Sequence, residues 1–176
     1  MNGGTEFTVD MDSADDYYEM FMQMWPEALE RLKELSETGT CKTVAVSVWV
    51  KAPLEVVWDA FTNPKHITQW CFASDDWEAP FAENDLRVGG SFKTRMQAKD
   101  GSFGFDFGGT YTSLKEKESY EYEMEDGRKV TLNFTAGPTA TIVREIFDAE
   151  SENPREMQKS GWQSILNHFK KYVESL

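Results

Sequence analysis

The sequence is poor in the side chains that build metal centres and disulfide frameworks. Its only cysteines are Cys41 and Cys71, its only histidines are His66 and His168, and no CxxC motif occurs. A structural zinc site needs four such ligands at short spacings, and a disulfide framework needs several cysteine pairs. We therefore expect two free thiols, no metal site and no bound cofactor.

Basic residues are also scarce. The 176 residues include 18 Lys and Arg against 31 Asp and Glu, which gives a formal net charge of −13. Clustered positive charge is what draws a protein to nucleic acid or to an anionic membrane surface, so neither is an expected partner. No stretch has the length of a membrane span, and the first residues lack the basic-then-apolar pattern of a signal peptide. A cytoplasmic location is the simplest prediction.

Aromatic residues, by contrast, make up 14% of a chain that is long enough for one domain and a short extension. Residues 1–38 hold ten acidic residues against two basic ones. Apolar residues recur there at helical spacing between residues 13 and 37, and Pro26 should divide the segment into two helices. We predict an acidic helical extension over residues 1–40 and one domain over residues 41–176.

The domain begins with a change of apolar period. Valines alternate with other residues over 43–50, as a half-buried strand requires. Two prolines then stand where helices can begin, which predicts short helices over about 53–60 and 64–70, the second capped by Asn63.

The middle of the chain predicts strands that follow one another with tight turns. Alternating patterns run through about residues 89–96, 103–111, 118–125, 130–135 and 139–147. Asp100–Gly101 and Asp126–Gly127 have the composition of hairpin turns. Successive strands joined in this way form an antiparallel meander.

A long amphipathic helix is predicted at the C-terminal end. Asn153, Pro154 and Glu156 supply a cap, a first-turn proline and a capping-box acid. One apolar stripe of about five turns follows, formed by Met157, Gly161, Trp162, Ile165, Leu166, Phe169 and Val173. Such a stripe needs a broad partner surface, and the ring-bearing face of the sheet can supply it.

Four stretches in this order carry a resemblance to a known family: APLEVVWDAFTNPKHITQW, VGGSFKTRM, GTYTSL and GWQSILNHFKKYV. They resemble the domain family named after the activator of the ATPase of the ninety-kilodalton heat-shock chaperone, a member of the START-like (SRPBCC, birch-pollen-allergen-like) superfamily. The resemblance covers about residues 43–174. It implies an α+β helix-grip fold, in which a curved antiparallel sheet of six or seven strands wraps the long C-terminal helix and two short helices follow the first strand. It implies no shared catalytic residue.

The stretch DGSFGFDFGGTY, residues 100–111, places its rings at odd positions, so they should face the concave side of the sheet. Two interpretations stay open: the rings pack solidly, or they line a pocket, since ligand sites are mostly apolar concavities. The resemblance favours the side of the last strand that carries Glu145 as the inner one, and a buried carboxylate needs a partner or a raised pKa. The candidate ligand-binding residues are Trp70, Phe72, Trp77, Phe92, Phe103, Phe105, Phe107, Phe134, Glu145, Trp162, Leu166 and Phe169.

The mouth of such a pocket is expected at residues 68–81, TQWCFASDDWEAPF, either as a mobile rim or as a packed loop. Cys71 lies in this segment, but no base is patterned near it, so a nucleophilic role is disfavoured. Asp106 with Glu145, or Asp75 with Asp76, would form an acid–base pair only if the fold brought them together. The glycine runs GGSF and FGGTY lack the strand-to-helix context of a phosphate loop and indicate close packing.

The outer face of the sheet is expected to carry an apolar patch of Trp49, Ile142 and Ile146, because the superfamily places its first and last strands side by side. We predict that residues 13–36 cover this patch or swap onto a second subunit, so a homodimer is a possible assembly. A loosely attached acidic helix is the alternative.

Three functions fit the sequence. The first is a non-catalytic binding protein whose cavity takes a small apolar or amphipathic ligand. The second is a protein-interaction module of the chaperone-activator kind, against which the extension is too short to be a separate chaperone-binding domain. The third is an enzyme of the cyclase, dehydratase or hydrolase type found elsewhere in the superfamily.

Overall fold

The computed structural model describes residues 42–176 together with Leu29, Leu32 and Lys33, which are helical. The predicted extension over residues 1–40 otherwise lies outside the described residues, as does Cys41. The boundary of the domain near residue 40 therefore stays a prediction. Among the described residues, no helix is long and apolar enough to cross a membrane.

Seven antiparallel strands form one curled sheet. They are β1 (Thr43–Val50), β2 (Trp77–Asn84), β3 (Ser91–Ala98), β4 (Gly104–Lys115), β5 (Ser119–Met124), β6 (Lys129–Ala136) and β7 (Thr141–Asp148). Their order across the sheet is β1-β7-β6-β5-β4-β3-β2. The meander and the pairing of the first strand with the last are thus confirmed, with Thr43 opposite Asp148. Gly101 and Gly127 have φ of +74° and +83° in the predicted turns, a region that favours glycine.

The strand β2 corrects the sequence analysis, which assigned residues 77–81 to a loop. Trp77–Asn84 pairs with β3 and is the edge strand of the sheet, with a register shift between Glu78 and Phe81. Pro80 lies inside this irregularity. An edge strand tolerates a proline because one side of it needs no ladder hydrogen bonds, and the bulge breaks the alternation that would have revealed the strand.

Two short helices follow β1, as predicted: α1 (Leu54–Thr62) and α2 (Pro64–Trp70). The Asn63 side chain accepts a hydrogen bond from the Lys65 backbone N–H at 3.1 Å, which confirms the cap. Trp70 closes α2 against α1, because its indole N–H donates to the carbonyl of Ala60 at 3.0 Å.

The C-terminal helix α3 spans Arg155–Val173. Its predicted start was wrong in detail: Pro154 occupies the N-cap position without a side-chain cap, and the Asn153 amide donates instead to Glu150 at 2.7 Å. Met157 is 65% exposed and does not belong to the apolar stripe. At 100° per residue it lies about 140° from Trp162, whereas Gln158 lies on the stripe and is buried.

The helix α3 packs across the concave face of the sheet. In β7 the buried side is the predicted one, with Thr141, Val143, Glu145 and Phe147 turned inward. Trp162 stacks on Phe147 of β7 with ring centroids 4.0 Å apart and meets Phe107 of β4 at 5.8 Å, while Phe169 meets Phe61 of α1 at 4.7 Å. The sheet therefore grips the helix through rings, as the resemblance implied.

A second, smaller apolar cluster lies on the outer face. Trp49 and Ile142 are cross-strand partners and, with Ala140, are at most 8% exposed, apart from the main core. Ile146, on the same face, is half-buried. The predicted patch thus exists, while its contact with residues 13–36 lies outside the described residues, so that contact and a homodimer stay predictions.

Candidate functional site

A cavity of about 500 Å³ separates part of the sheet from α3. Its walls come from β3, β4, β5 and β7 on one side and from α3 on the other, and its floor comes from α1 and α2. Rings dominate the lining: Phe61, Trp70, Phe92, Phe105, Phe107, Tyr111, Tyr120, Tyr122 and Trp162. The volume lies within the range of small-molecule sites.

Alternation in the strands places these rings. In β3, Phe92, Thr94 and Met96 face the cavity, while in β4 the odd positions Phe105, Phe107 and Tyr111 do so. Gly109 shares that parity, and a Cβ there would lie 3.0 Å from Tyr122 and 3.3 Å from Phe92. The absence of a side chain at this position allows the rings of β3 and β5 to meet, with centroids 4.8 Å apart. The close-packing interpretation of FGGTY holds.

Seven of the twelve candidate residues line the cavity: Trp70, Phe92, Phe105, Phe107, Glu145, Trp162 and Leu166. The sheet and the helix meet beside it in the edge-to-face contact of Phe107 and Trp162, whose centroids are 5.8 Å apart. That these seven residues bind a ligand stays a prediction.

The other five candidates lie elsewhere. Phe134 and Phe169 fill the core beside the cavity, each within 5.5 Å of Phe61 between ring centroids. Phe72 packs on His168 of α3 at 4.9 Å. Trp77 and Phe103 form a surface group with Phe105, and Phe103 is 62% exposed. Phe103 precedes the first residue of β4, so its ring lies beyond the part of the concave face that α3 covers.

The mouth of the cavity is not where the sequence placed it. The exposed residues whose side chains border the cavity belong to β4 and to the turn between β5 and β6, and they include Phe105, Glu125 and Asp126. The segment expected at the mouth is instead packed onto α3 by Phe72 and by an Asp75–His168 contact of 3.4 Å. Of the two alternatives for that segment, the packed loop is the one that its contacts support.

Glu145 is the one carboxyl side chain that β7 turns into the cavity. It is 8% exposed, and no hydrogen bond or ion pair joins it to any residue that the structure describes. Burial raises the pKa of Glu145 to about 8. The carboxyl is therefore mostly protonated and neutral at pH 7.

Three tyrosines share the cavity with this carboxyl. Burial raises the pKa of Tyr120 and Tyr122, and the nearby charge of Glu145 adds to the effect on both. The Tyr111 hydroxyl donates to Asn84 at 2.8 Å. Tyr120 and Tyr122 have no hydrogen-bond partner within the described part of the chain, so their hydroxyls are available to a bound molecule. All three were overlooked as candidates, although Tyr120 and Tyr122 alternate with acids in β5.

Cys71 lies at the end of α2, where burial raises the pKa of its thiol to about 12, helped by the charge of Glu145. A thiol held in its protonated form is a poor nucleophile.

The candidate acid pairs do not converge on the cavity either. Asp75 contacts His168 at 3.4 Å and Asp76 accepts a hydrogen bond from the Ser74 hydroxyl, and neither lines the cavity. Asp106 turns to the outer face and binds Lys93 at 2.9 Å and Arg95 at 3.2 Å, whereas Glu145 faces inward. No cluster suited to a metal ion occurs among the described residues.

The sheet, the two short helices and the gripped helix define a helix-grip protein with a ring-lined cavity. The model of the family described as Activator of Hsp90 ATPase homolog 1-like protein matches residues 51–174, and the chain belongs to this family. No protein of curated function was found to match the sequence.

Solved structures agree with this assignment. The AHSA1-like protein of Aeromonas hydrophila is 42% identical, with a TM-score of 0.70, over 75% of this chain and 93% of its own. A protein of Cytophaga hutchinsonii is 50% identical, with a TM-score of 0.67, over 77% of this chain and 94% of its own. A protein of Chromobacterium violaceum, 24% identical over 76% of this chain and 97% of its own, shares the fold with a TM-score of 0.66.

Proposed function

We propose that this protein is a non-catalytic binding protein whose cavity takes a small apolar or amphipathic molecule. The observation that carries the proposal is the ring-lined cavity of about 500 Å³ between the sheet and α3. Interiors normally close to high density, and voids larger than a water molecule are few. A hollow of this size in a ring-rich core is therefore better explained by an occupant than by faulty packing.

The polar groups of the cavity support binding rather than catalysis. Glu145 is its one buried carboxyl, and Asp106 lies across the sheet from it. General acid–base chemistry by two carboxyls would need both on the same side of a substrate. A few polar groups in an apolar concavity are typical of sites that orient a ligand.

A substitution that fills the cavity tests this function. Thr94 faces the cavity from β3 and is buried, so Thr94→Phe places a ring in the hollow. Binding of the uncharged fluorescent probe N-phenyl-1-naphthylamine to the wild-type protein should weaken at least tenfold in this variant. Native mass spectrometry of the purified wild-type protein should in addition show a retained small molecule that the variant lacks.

The matched control is Thr110→Phe. Thr110 is exposed on β4 and pairs with Ser91 and Glu123 on the outer face. This control should bind the probe as the wild-type protein does. Equal binding by both variants, with thermal melts showing that each is folded, would place the probe outside the cavity and overturn the proposal.

A further inference from the structure

The buried carboxyl of the cavity, Glu145, lacks a partner of opposite charge. Glu145 lies on β7 between Val46 of β1 and Leu132 of β6, which are both apolar. Among the described residues, the only basic side chain that lines the cavity is Arg128, and its guanidinium binds Asp126 at 2.8 Å. A buried carboxylate is stable only when something pairs with it, and the protein supplies no such group here.

The groups that face Glu145 are neutral in every element packed around it. The end of α2 contributes Cys71, β4 contributes Tyr111, and β5 contributes Tyr120 and Tyr122. The helices α1 and α3 contribute apolar side chains to the lining, such as Phe61 and Leu166. The two β5 hydroxyls can accept a hydrogen bond from a ligand, because no described residue donates to them.

The surroundings of the cavity favour a positive ligand over a negative one. Ring faces attract cations, and the lining contains nine aromatic rings. The mouth carries Glu125 and Asp126, and the chain as a whole has a formal net charge of −13. An anionic ligand would meet repulsion at the mouth and a buried carboxyl inside the cavity.

We propose that the ligand is an amphipathic cation, an apolar body carrying an ammonium group that pairs with Glu145 and contacts Tyr120 and Tyr122. This inference rests on the proposed function, since it names the class of molecule that the same cavity takes. The apolar body lies against Phe92, Phe107 and Trp162.

Pairing with a cation moves a proton. Glu145 is mostly protonated at pH 7, since its pKa is raised to about 8. An ammonium ion binds the ionised carboxylate, so the carboxyl proton passes to the solvent when a permanently charged ligand enters. Affinity for such a ligand therefore increases about tenfold per pH unit below pH 8 and levels off above it.

Three naphthalene probes test the inference by titration calorimetry on the full chain. They are (2-naphthylmethyl)trimethylammonium, which is charged at every pH, 2-naphthylmethanol, and 2-acetonaphthone, a neutral acceptor. The cation should bind at least tenfold more tightly at pH 8 than at pH 6, and near pH 7 it should release about one proton to the buffer. The alcohol should bind equally at both pH values.

Two variants locate the effect. Glu145→Gln keeps the shape of the side chain, so it should still bind the alcohol while losing the pH dependence and at least tenfold in affinity for the cation at pH 8. Glu125→Gln removes an exposed carboxylate at the mouth, so it should change cation binding less than about threefold, and salt should abolish that change.

Different failures have different meanings. If the alcohol binds in the cavity but the cation binds no better at any pH, the cationic ligand is wrong and the binding function stands. If 2-acetonaphthone binds best, and its affinity falls above pH 8 in the wild-type protein only, a protonated Glu145 donates to neutral ligands and the inference is overturned. If no probe binds the wild-type protein, both the inference and the proposed function fail.

Discussion

The space between the sheet and α3 has two ends that are built from the same kinds of side chain, yet only one of them is full. At the packed end, Phe61, Trp70 and Phe169 touch one another with centroids less than 5 Å apart. At the hollow end, Phe92, Phe107 and Trp162 line a cavity of about 500 Å³. The number of aromatic rings therefore does not determine whether the space between the sheet and α3 is filled. The packed end is full because α1 and α2 insert side chains between the sheet and the helix, and these helices stop at the floor of the cavity.

The largest effect should come from the packed end. Phe169→Ala removes a fully buried ring that contacts Phe61 and Trp70, and the free energy of unfolding should fall by about 3–5 kcal/mol. Urea unfolding at pH 7 measures the loss. Phe103→Ala, which truncates a ring that is 62% exposed, is the matched control and should cost less than about 1 kcal/mol. Equal losses would refute the distinction between filled and superficial rings.

At the hollow end the main effect on stability is expected to be the electrostatic cost of ionising a buried carboxyl. Glu145 has a pKa of about 8 in the folded protein against an ordinary value of 4.5, so the folded state holds its proton more tightly. The free energy of unfolding should then decrease as pH rises from about 4.5 to 8, because the unfolded chain ionises first. Glu145→Gln removes that cost and should stabilise the protein by about 4 kcal/mol at pH 8, with little change near pH 4.

Urea titrations at several pH values compare this variant with the wild-type protein. The exposed Glu125→Gln serves as the control and should follow the wild-type profile. A Glu145→Gln profile parallel to that of the wild-type protein would mean that the carboxyl is solvated. The electrostatic cost assigned to the hollow end would then be absent.

Truncating a ring at the hollow end should lower the free energy of unfolding by less than truncating one at the packed end. Phe107 is half-buried and borders the cavity, so truncation to Ala removes fewer contacts and leaves no new closed void. We expect a loss of about 1–2 kcal/mol in the same urea experiment, with N-phenyl-1-naphthylamine still bound. A loss as large as that of Phe169→Ala would show that this end is packed as tightly as the other.

Features that depend on neighbouring residues in one element were predicted from local patterns in the sequence. The alternation in β7 grouped Glu145 with Thr141, Val143 and Phe147 on one face, which the family resemblance favoured as the concave one, and Asn63 capped α2 through a neighbour two residues away. Both depend on contacts within one element. The strand β2 escaped detection because Pro80 and the bulge beside it break the period on which a strand is recognised.

The extent of the cavity depends on contacts between distant parts of the chain. Phe134 and Phe107 both lie on the inner side of their strands, yet Phe134 meets the rings of α1 while Phe107 borders a hollow. Which of them is covered depends on where α1 and α2 come to rest. That position is set by tertiary packing rather than by the spacing of apolar residues, so the choice between a filled core and a pocket stayed open in the sequence.

The smallest effect should come from the charged contact beside the packed end. Asp75 approaches His168 at 3.4 Å, but its side chain is 91% exposed, so solvent screens the pair. Asp75→Asn should lower the free energy of unfolding by less than about 0.5 kcal/mol at pH 7. Phe72→Ala, which removes the ring packed on the same histidine, should cost about 1–2 kcal/mol. If Asp75→Asn proved the more damaging of the two, the segment of residues 68–81 would be held on α3 mainly by charge. Packing of inserted rings would then not explain why this end of the space is filled.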